Sequence, residues 1–159
     1  MKQKIFLVVV SSIIFYACDF SGQKTNPSTG LSVKARGFSY EKAFLVGPDN
    51  TPRSTNQVEL GSNVSIVIEG IKDYEAKGGM AFPGLMITVT DKDGIAVINE
   101  ADLLPDENGY PLAKATALSG TVKVGAPMKR AESYHVKMIV WDKNKPENEL
   151  TAEMDLIVQ

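Results

Sequence analysis

The sequence predicts an all-β chain folded as an antiparallel β-sandwich of about eight strands. Three observations carry this expectation. Apolar and polar residues alternate at period two in segment after segment. Clusters of Gly, Asp, Asn and Pro separate those segments at short spacing. Helical periodicity is nearly absent, and strands at such spacing without helices read as a sandwich.

The strands follow in order. Over 31–36, Leu31, Val33 and Ala35 alternate with Ser32, Lys34 and Arg36. The stretch 40–46 is less regular, and a loop runs through 47–52. Gly61-Ser62-Asn63 makes a turn. Val64, Ile66 and Ile68 then share one side of a strand whose other side includes Val67, which predicts a central strand covered on both faces. The Gly- and Pro-rich stretch 71–84 reads as a loop or broken edge strand, although it carries Tyr74, Met80 and Phe82. A strand at 85–90 turns back through Asp91-Lys92-Asp93-Gly94 into 95–98. Asn99 is placed to cap one helical turn over 100–104, stopped by Pro105. A turn at 106–109 and a strand over 118–124 follow.

The clearest elements come last. Segments 133–141 and 149–158 alternate cleanly and predict a long antiparallel hairpin. Tyr134, Val136, Met138 and Val140 face the core from one strand. Leu150, Ala152, Met154, Leu156 and Val158 face it from the other. His135, Lys137, Ile139 and Trp141 take the opposite face, with Glu153 and Asp155 across from them in one of two registers. An immunoglobulin-like topology is the favoured subtype.

The N-terminus carries a different signal. Lys2 and Lys4 precede an apolar run over 5–17, which is too short to span a bilayer. Basic flank and short apolar run together read as a secretory signal peptide. The run ends in Phe15-Tyr16-Ala17 followed by Cys18, the chain's single cysteine. An apolar residue, a small residue before the cut and then Cys resembles a bacterial lipoprotein signal. The relaxed pattern is similar to that of lipoproteins of Bacteroidota. The resemblance implies diacylglyceryl modification of Cys18, cleavage before it, and acylation of the new amine. Two or more acyl chains anchor a protein stably. The expected organisation is therefore a signal peptide over 1–17, the lipidated Cys18 and a flexible linker over 18–30, and the sandwich over 31–159. The location it implies is the bacterial cell envelope, lipid-anchored to the outer or inner membrane.

One domain suits a chain of 159 residues. Once Cys18 is lipidated, no thiol remains for disulfides or zinc. A formal net charge of −2 without a basic run argues against nucleic acid as a partner. Phosphate-loop, dinucleotide and zinc motifs are missing from the sequence, so no cofactor is expected.

Three groups of residues could carry chemistry. His135, the single histidine, would need a cleft and an activated serine to act as a base. Asp91 and Asp93 in one turn, with Asp142, Asn144 and Glu147 in another, could supply oxygen ligands to calcium if the two turns met at one end. The run Val140-Trp141-Asp142-Lys143 weakly resembles the strand-to-loop passage of C2 domains. Tyr74, Met80, Phe82, His135 and Trp141 form the candidate binding surface. The expected function is a membrane-anchored, non-enzymatic module that binds another protein or a glycan. The alternatives are a cell-envelope glycan hydrolase using Glu100, Asp102 or Asp106, and a calcium-stabilised adhesion module.

Overall fold

A computed structural model describes residues 23–105 and 107–159. It is an antiparallel β-sandwich with strands β1 (Gln23–Thr25), β2 (Ser32–Arg36), β3 (Lys42–Val46), β4 (Gln57–Val58), β5 (Asn63–Glu69), β6 (Met80–Ala81), β7 (Pro83–Thr90), β8 (Ala96–Glu100) and β9 (Tyr110–Pro111). A single helical turn α1 (Leu112–Ala115) precedes β10 (Ala117–Lys123), β11 (Ser133–Asp142) and β12 (Glu149–Val158). The large sheet runs β1-β2-β12-β11-β7-β8, with β4 added in parallel beside the end of β12. Facing it is the sheet β10-β5-β3. A two-stranded ribbon, β6-β9, sits at one end.

The core lies between the two sheets. The inward side of β11 (Tyr134, Val136, Met138, Val140) and of β12 (Leu150, Ala152, Met154, Leu156, Val158) is buried, as the alternation predicts. Across from them stand Leu45, Val64, Ile66, Ile68 and Val122 of the small sheet. Each such aliphatic side chain contributes about 1.5–3 kcal/mol on full burial. Gly120 in β10 marks a close approach of the two sheets. A Cβ there would stand 2.4 Å from Ile87 Cδ1 and 2.7 Å from Met138 Sδ. Glycine inside a strand here is a packing requirement.

The hairpin register is one of the two expected, with His135 opposite Asp155 and Lys137 opposite Glu153. Several elements differ from expectation. Among the described residues twelve strands are present where about eight are predicted, because β1, β4, β6 and β9 are two or three residues long. Alternation is not legible over so few positions. Gln23–Thr25, expected within the linker, instead pairs with β2 (Gln23↔Lys34, Thr25↔Ser32). Asn26 closes the turn behind it by accepting the Gly30 N–H, and Thr29 is buried. The first part of the expected linker, 18–22, lies outside the described residues.

The helical turn expected over 100–104 is absent. Ile98, Asn99 and Glu100 of β8 pair with Val89, Thr88 and Ile87 of β7, so pairing overrides the local cap. The helix instead forms at Leu112-Ala113-Lys114-Ala115, a run of strong helix formers entered from Pro111. β5 is central in its sheet, as expected, but only one face is covered. Ser65, Val67 and Glu69 stay half exposed.

The strands define two ends. One, here the upper end, gathers the loops over 37–41, 70–82, 101–105, 107–116 and 142–148. The lower end gathers 26–31, 47–62, 91–95 and 124–132.

Candidate functional site

The upper end is organised by the loop that joins β11 to β12. Asp142, the last residue of β11, is fully buried. Its Oδ2 accepts the Glu75 N–H at 2.6 Å, and its Oδ1 accepts the Asn144 N–H at 2.9 Å. Asn144 Nδ2 donates to the Glu75 carbonyl at 2.9 Å, and Lys77 Nζ donates to Asn144 Oδ1 at 2.8 Å. Asn148 Nδ2 donates to the Asp73 carbonyl at 2.7 Å. One seven-residue loop therefore holds the irregular stretch 73–77 in place.

The same loop clamps a second segment. The Lys143 N–H donates to the Phe82 carbonyl. Lys143 Nζ reaches Asp102 Oδ2 at 2.7 Å and the Leu104 carbonyl at 2.6 Å. Asp102 Oδ1 also accepts the N–H groups of Leu104 (2.9 Å) and Leu85 (3.3 Å). Burial raises the Asp102 pKa, but Lys143 and the two backbone donors outweigh it and hold the carboxyl below its ordinary value of 3.8. A carboxyl held ionised in this way is poorly suited to act as a general acid.

Tyr74 points inward. Its ring meets Phe38 edge-on at 4.8 Å and its hydroxyl donates to the Ala115 carbonyl at 3.1 Å. Burial first, and the Asp142 charge second, push its pKa far above the ordinary tyrosine value. Tyr74 therefore belongs to the packing of the upper end. Met80 and Phe82 are half-buried beside β9, with Phe82 set against Gly109, where a Cβ would stand 2.9 Å from the ring. Leu103 and Leu112, not singled out in the sequence, are exposed at 41% and 39% in the same set of loops. Pairing of β6 with β9, which no local pattern signals, sets Leu112 next to Met80 in the fold, whereas the Leu103 N–H donates to the Leu85 carbonyl.

Trp141 occupies the outer face of the large sheet and lies flat on Gly84 of β7. A Cβ at Gly84 would fall 2.1 Å from the indole Cε2. One ring face is thus packed on the sheet, and the residue remains half exposed. Trp141, Glu149 and Arg36 form one cross-strand row. Next to it is a polar groove of about 350 Å³ lined by Gln23, Ser32, Lys34, Arg36, Lys137, Glu149, Thr151 and Glu153. Lys137 pairs with Glu153 at 3.2 Å and Arg36 approaches Glu149 at 3.8 Å.

The structure brings Tyr74, Met80, Phe82 and Trp141 to the upper end and separates His135 from them. His135 stands six residues down β11, about 20 Å away. Its Nδ1 lies 3.0 Å from Asp155 Oδ1 in an exposed cross-strand pair, a surface contact of modest worth.

The proposed junction of acidic turns fails on geometry. Thr90, next to Asp91, pairs with His135, whereas Asp142 pairs with Pro83. The two turns stand at opposite ends of β7 and β11, about 25 Å apart. Asp91 Oδ1 accepts the N–H groups of Asp93 and Ile95, and Asp93 contacts Lys92. Asp142 and Asn144 are bonded as described above. Among the described residues no three His, Cys, Asp or Glu side chains converge as metal ligands. Glu100 is exposed on β8, and Asp106 and Cys18 lie outside the described residues. Among the described residues no helix is long and apolar enough to cross a membrane.

No family model matches the chain, and a search of curated proteins finds no significant match.

Proposed function

We propose that the chain is a lipid-anchored, non-enzymatic module of a bacterial envelope that binds another protein on the outer face of its large sheet. The observation that carries the binding surface is the groove between β2, β12 and β11, with the Trp141 indole beside it. Three cations (Lys34, Arg36, Lys137) and two carboxylates (Glu149, Glu153) line one shallow surface. An amphipathic aromatic next to mixed charge suits a protein partner with complementary charge. The anchor rests on the basic, apolar and Cys18 signal at the N-terminus. Against the hydrolase alternative stands Asp102, whose carboxylate is tied up by Lys143 and two N–H groups.

Crosslinked capture in the native membrane tests the proposal. The anchored protein should yield a specific partner. Capture should fall sharply with Lys34→Glu plus Lys137→Glu, and with Cys18→Ser. The lysine double variant should still fold, with a small drop in melting temperature from loss of the Lys137–Glu153 pair. Capture that is indifferent to both variants would end the proposal.

A further inference from the structure

The small sheet is narrower than the sheet it faces. It runs β10-β5-β3, against the path β1-β2-β12-β11-β7-β8. Gly120 of β10 packs on Ile87 of β7 and Met138 of β11, so β8, on the far side of β7, projects beyond β10. The side chains register this overhang. Ile98 and Glu100 pair with the buried Val89 and Ile87 and share their core-facing side of the sheet. Yet Ile98 is only half-buried and Glu100 is exposed. Leu118, on the core-facing side of β10, is half-buried as well. The place opposite β8 and beside β10 is that of a fourth strand, and among the described residues no strand pairs there.

The edge of β10 is built to receive one. Its register with β5 sets Val124 across from Ser62, and the Val124 N–H donates to the Ser62 carbonyl. Directly opposed bonding alternates along an antiparallel pair, so the even-numbered residues of β10 are the ones bonded to β5. The backbone groups of Ala117, Ser119, Thr121 and Lys123 therefore point away from β5, and no partner holds them among the described residues. The other margins of the two main sheets are blunted, as exposed edges usually are. β1 is three residues long. β8 carries a register shift against β7 and the polar Asn99 and Glu100. β3 is crossed by the returning chain, where the Arg53 N–H donates to the Leu45 carbonyl and Val46 bridges Pro52. β10 keeps an unbroken register over seven residues, without proline and with Lys123 as its one charge.

We infer that an extended segment of a partner protein adds to β10 as a fourth strand of the small sheet, pairing through Ala117, Ser119, Thr121 and Lys123. Its inward side chains close over Ile98 and Leu118 and are therefore apolar. The inward side chain level with Gly120 meets Glu100 and is therefore Lys or Arg. A second copy paired through its own β10 fits poorly, because both projecting β8 strands would claim the same space. This edge is separate from the groove on the large sheet and needs no lipid on Cys18.

The test uses the full-length chain in detergent and an end-blocked probe peptide, Thr-Val-Thr-Lys-Thr-Val-Thr, whose pattern reads the same in both directions. In the free protein the Ser119 and Thr121 amides should exchange at least tenfold faster than those of Gly120 and Val122. Saturating probe should slow Ser119 and Thr121 at least tenfold. Thr121→Pro removes an N–H that points away from β5, a place where an edge strand tolerates proline. It should abolish probe binding, read by fluorescence anisotropy, whereas Thr121→Ala should retain it. Glu100→Lys should weaken binding several-fold, and a probe with Glu in place of its Lys should recover it. Slow exchange at Ser119 and Thr121 in the free protein, or exchange that the probe leaves unmoved, would overturn the inference. So would binding that survives in folded Thr121→Pro. Should Thr121→Pro fail to fold, the Glu100→Lys exchange of charges decides, and a probe indifferent to it sinks the proposal. Protection that appears only as protein concentration rises would assign the edge to a second copy and overturn it as well.

Discussion

Two loops of the large sheet look alike as sequences and behave differently as structures. Asp91-Lys92-Asp93-Gly94 and the stretch 142–148 are both polar, both follow a strand, and both lead into the next one. In the first, Asp91 bonds only to backbone within four residues, and Gly94 turns the chain at positive φ in open space. The turn is complete in itself. In the second, Asp142 is buried and bonds to Glu75, 67 residues away in sequence, while Asn148 bonds to Asp73 and Lys143 to Asp102. One loop closes a hairpin; the other assembles an end of the molecule. Aspartate in a turn is favoured for local reasons in both. Burial decides which becomes indispensable, because a buried donor left without its acceptor costs far more than an exposed one.

The largest effect that sharpens this contrast is expected from Asp142→Ala. It leaves the Glu75 and Asn144 N–H groups without their acceptor and should lower stability by about 2–4 kcal/mol, read from the urea midpoint. Asp91→Ala should cost about 0.5–1 kcal/mol, the scale of an exposed local cap. Equal losses would break the comparison.

The glycines give a second pair. Gly37 and Gly94 both have positive φ, 68° and 79°. A Cβ on Gly37 would fall 2.1 Å from Asn148 Oδ1, whereas one on Gly94 meets nothing within 4 Å. Gly94→Ala should cost about 1 kcal/mol for the left-handed backbone alone. Gly37→Ala should cost about 2–3 kcal/mol, since overpacking adds to that strain. Thermal melts of the two variants compare them directly.

The smallest effect is a pH dependence at the upper end. Because the folded pKa of Asp102 lies below its ordinary value, the stability it contributes is present above that ordinary value. It is lost as pH falls through the folded pKa. Amide exchange at Leu85 and Leu104 should therefore accelerate below about pH 4, and Asp102→Asn should abolish that acid-dependent step.

The long hairpin was legible because nine or more alternating positions specify both the strand and its inward face. Its register also followed within one choice, which the structure resolved in favour of His135 opposite Asp155. The short strands were not legible. β1 was hidden in a polar run, and β6 and β9 are two residues each, so their existence depends on partners elsewhere in the chain. The helical turn assigned to 100–104 shows the same limit from the other side. The Asn99 cap lost to pairing of Ile98, Asn99 and Glu100 with β7. Of the candidate surface, Tyr74 turned inward, Trp141 settled on Gly84, and His135 fell out of reach of the rest. Leu103 and Leu112 escaped notice because a single exposed leucine carries no sequence signal until a neighbour is placed beside it.

By itself the sequence determined the all-β class, the sidedness of the main strands and the chemical oddity of the N-terminal run ending at Cys18. These are local properties, set by periodicity, turn chemistry and hydropathy within about ten residues. Only the tertiary structure decided that Asp142 is a buried clamp and Asp91 an exposed turn. It alone decided that the two acidic turns stand apart, and that Gln23–Thr25 joins the edge of the large sheet beside β2. Those outcomes depend on which distant residues meet across the sandwich, and contacts over such separations leave no trace in any short stretch of chain.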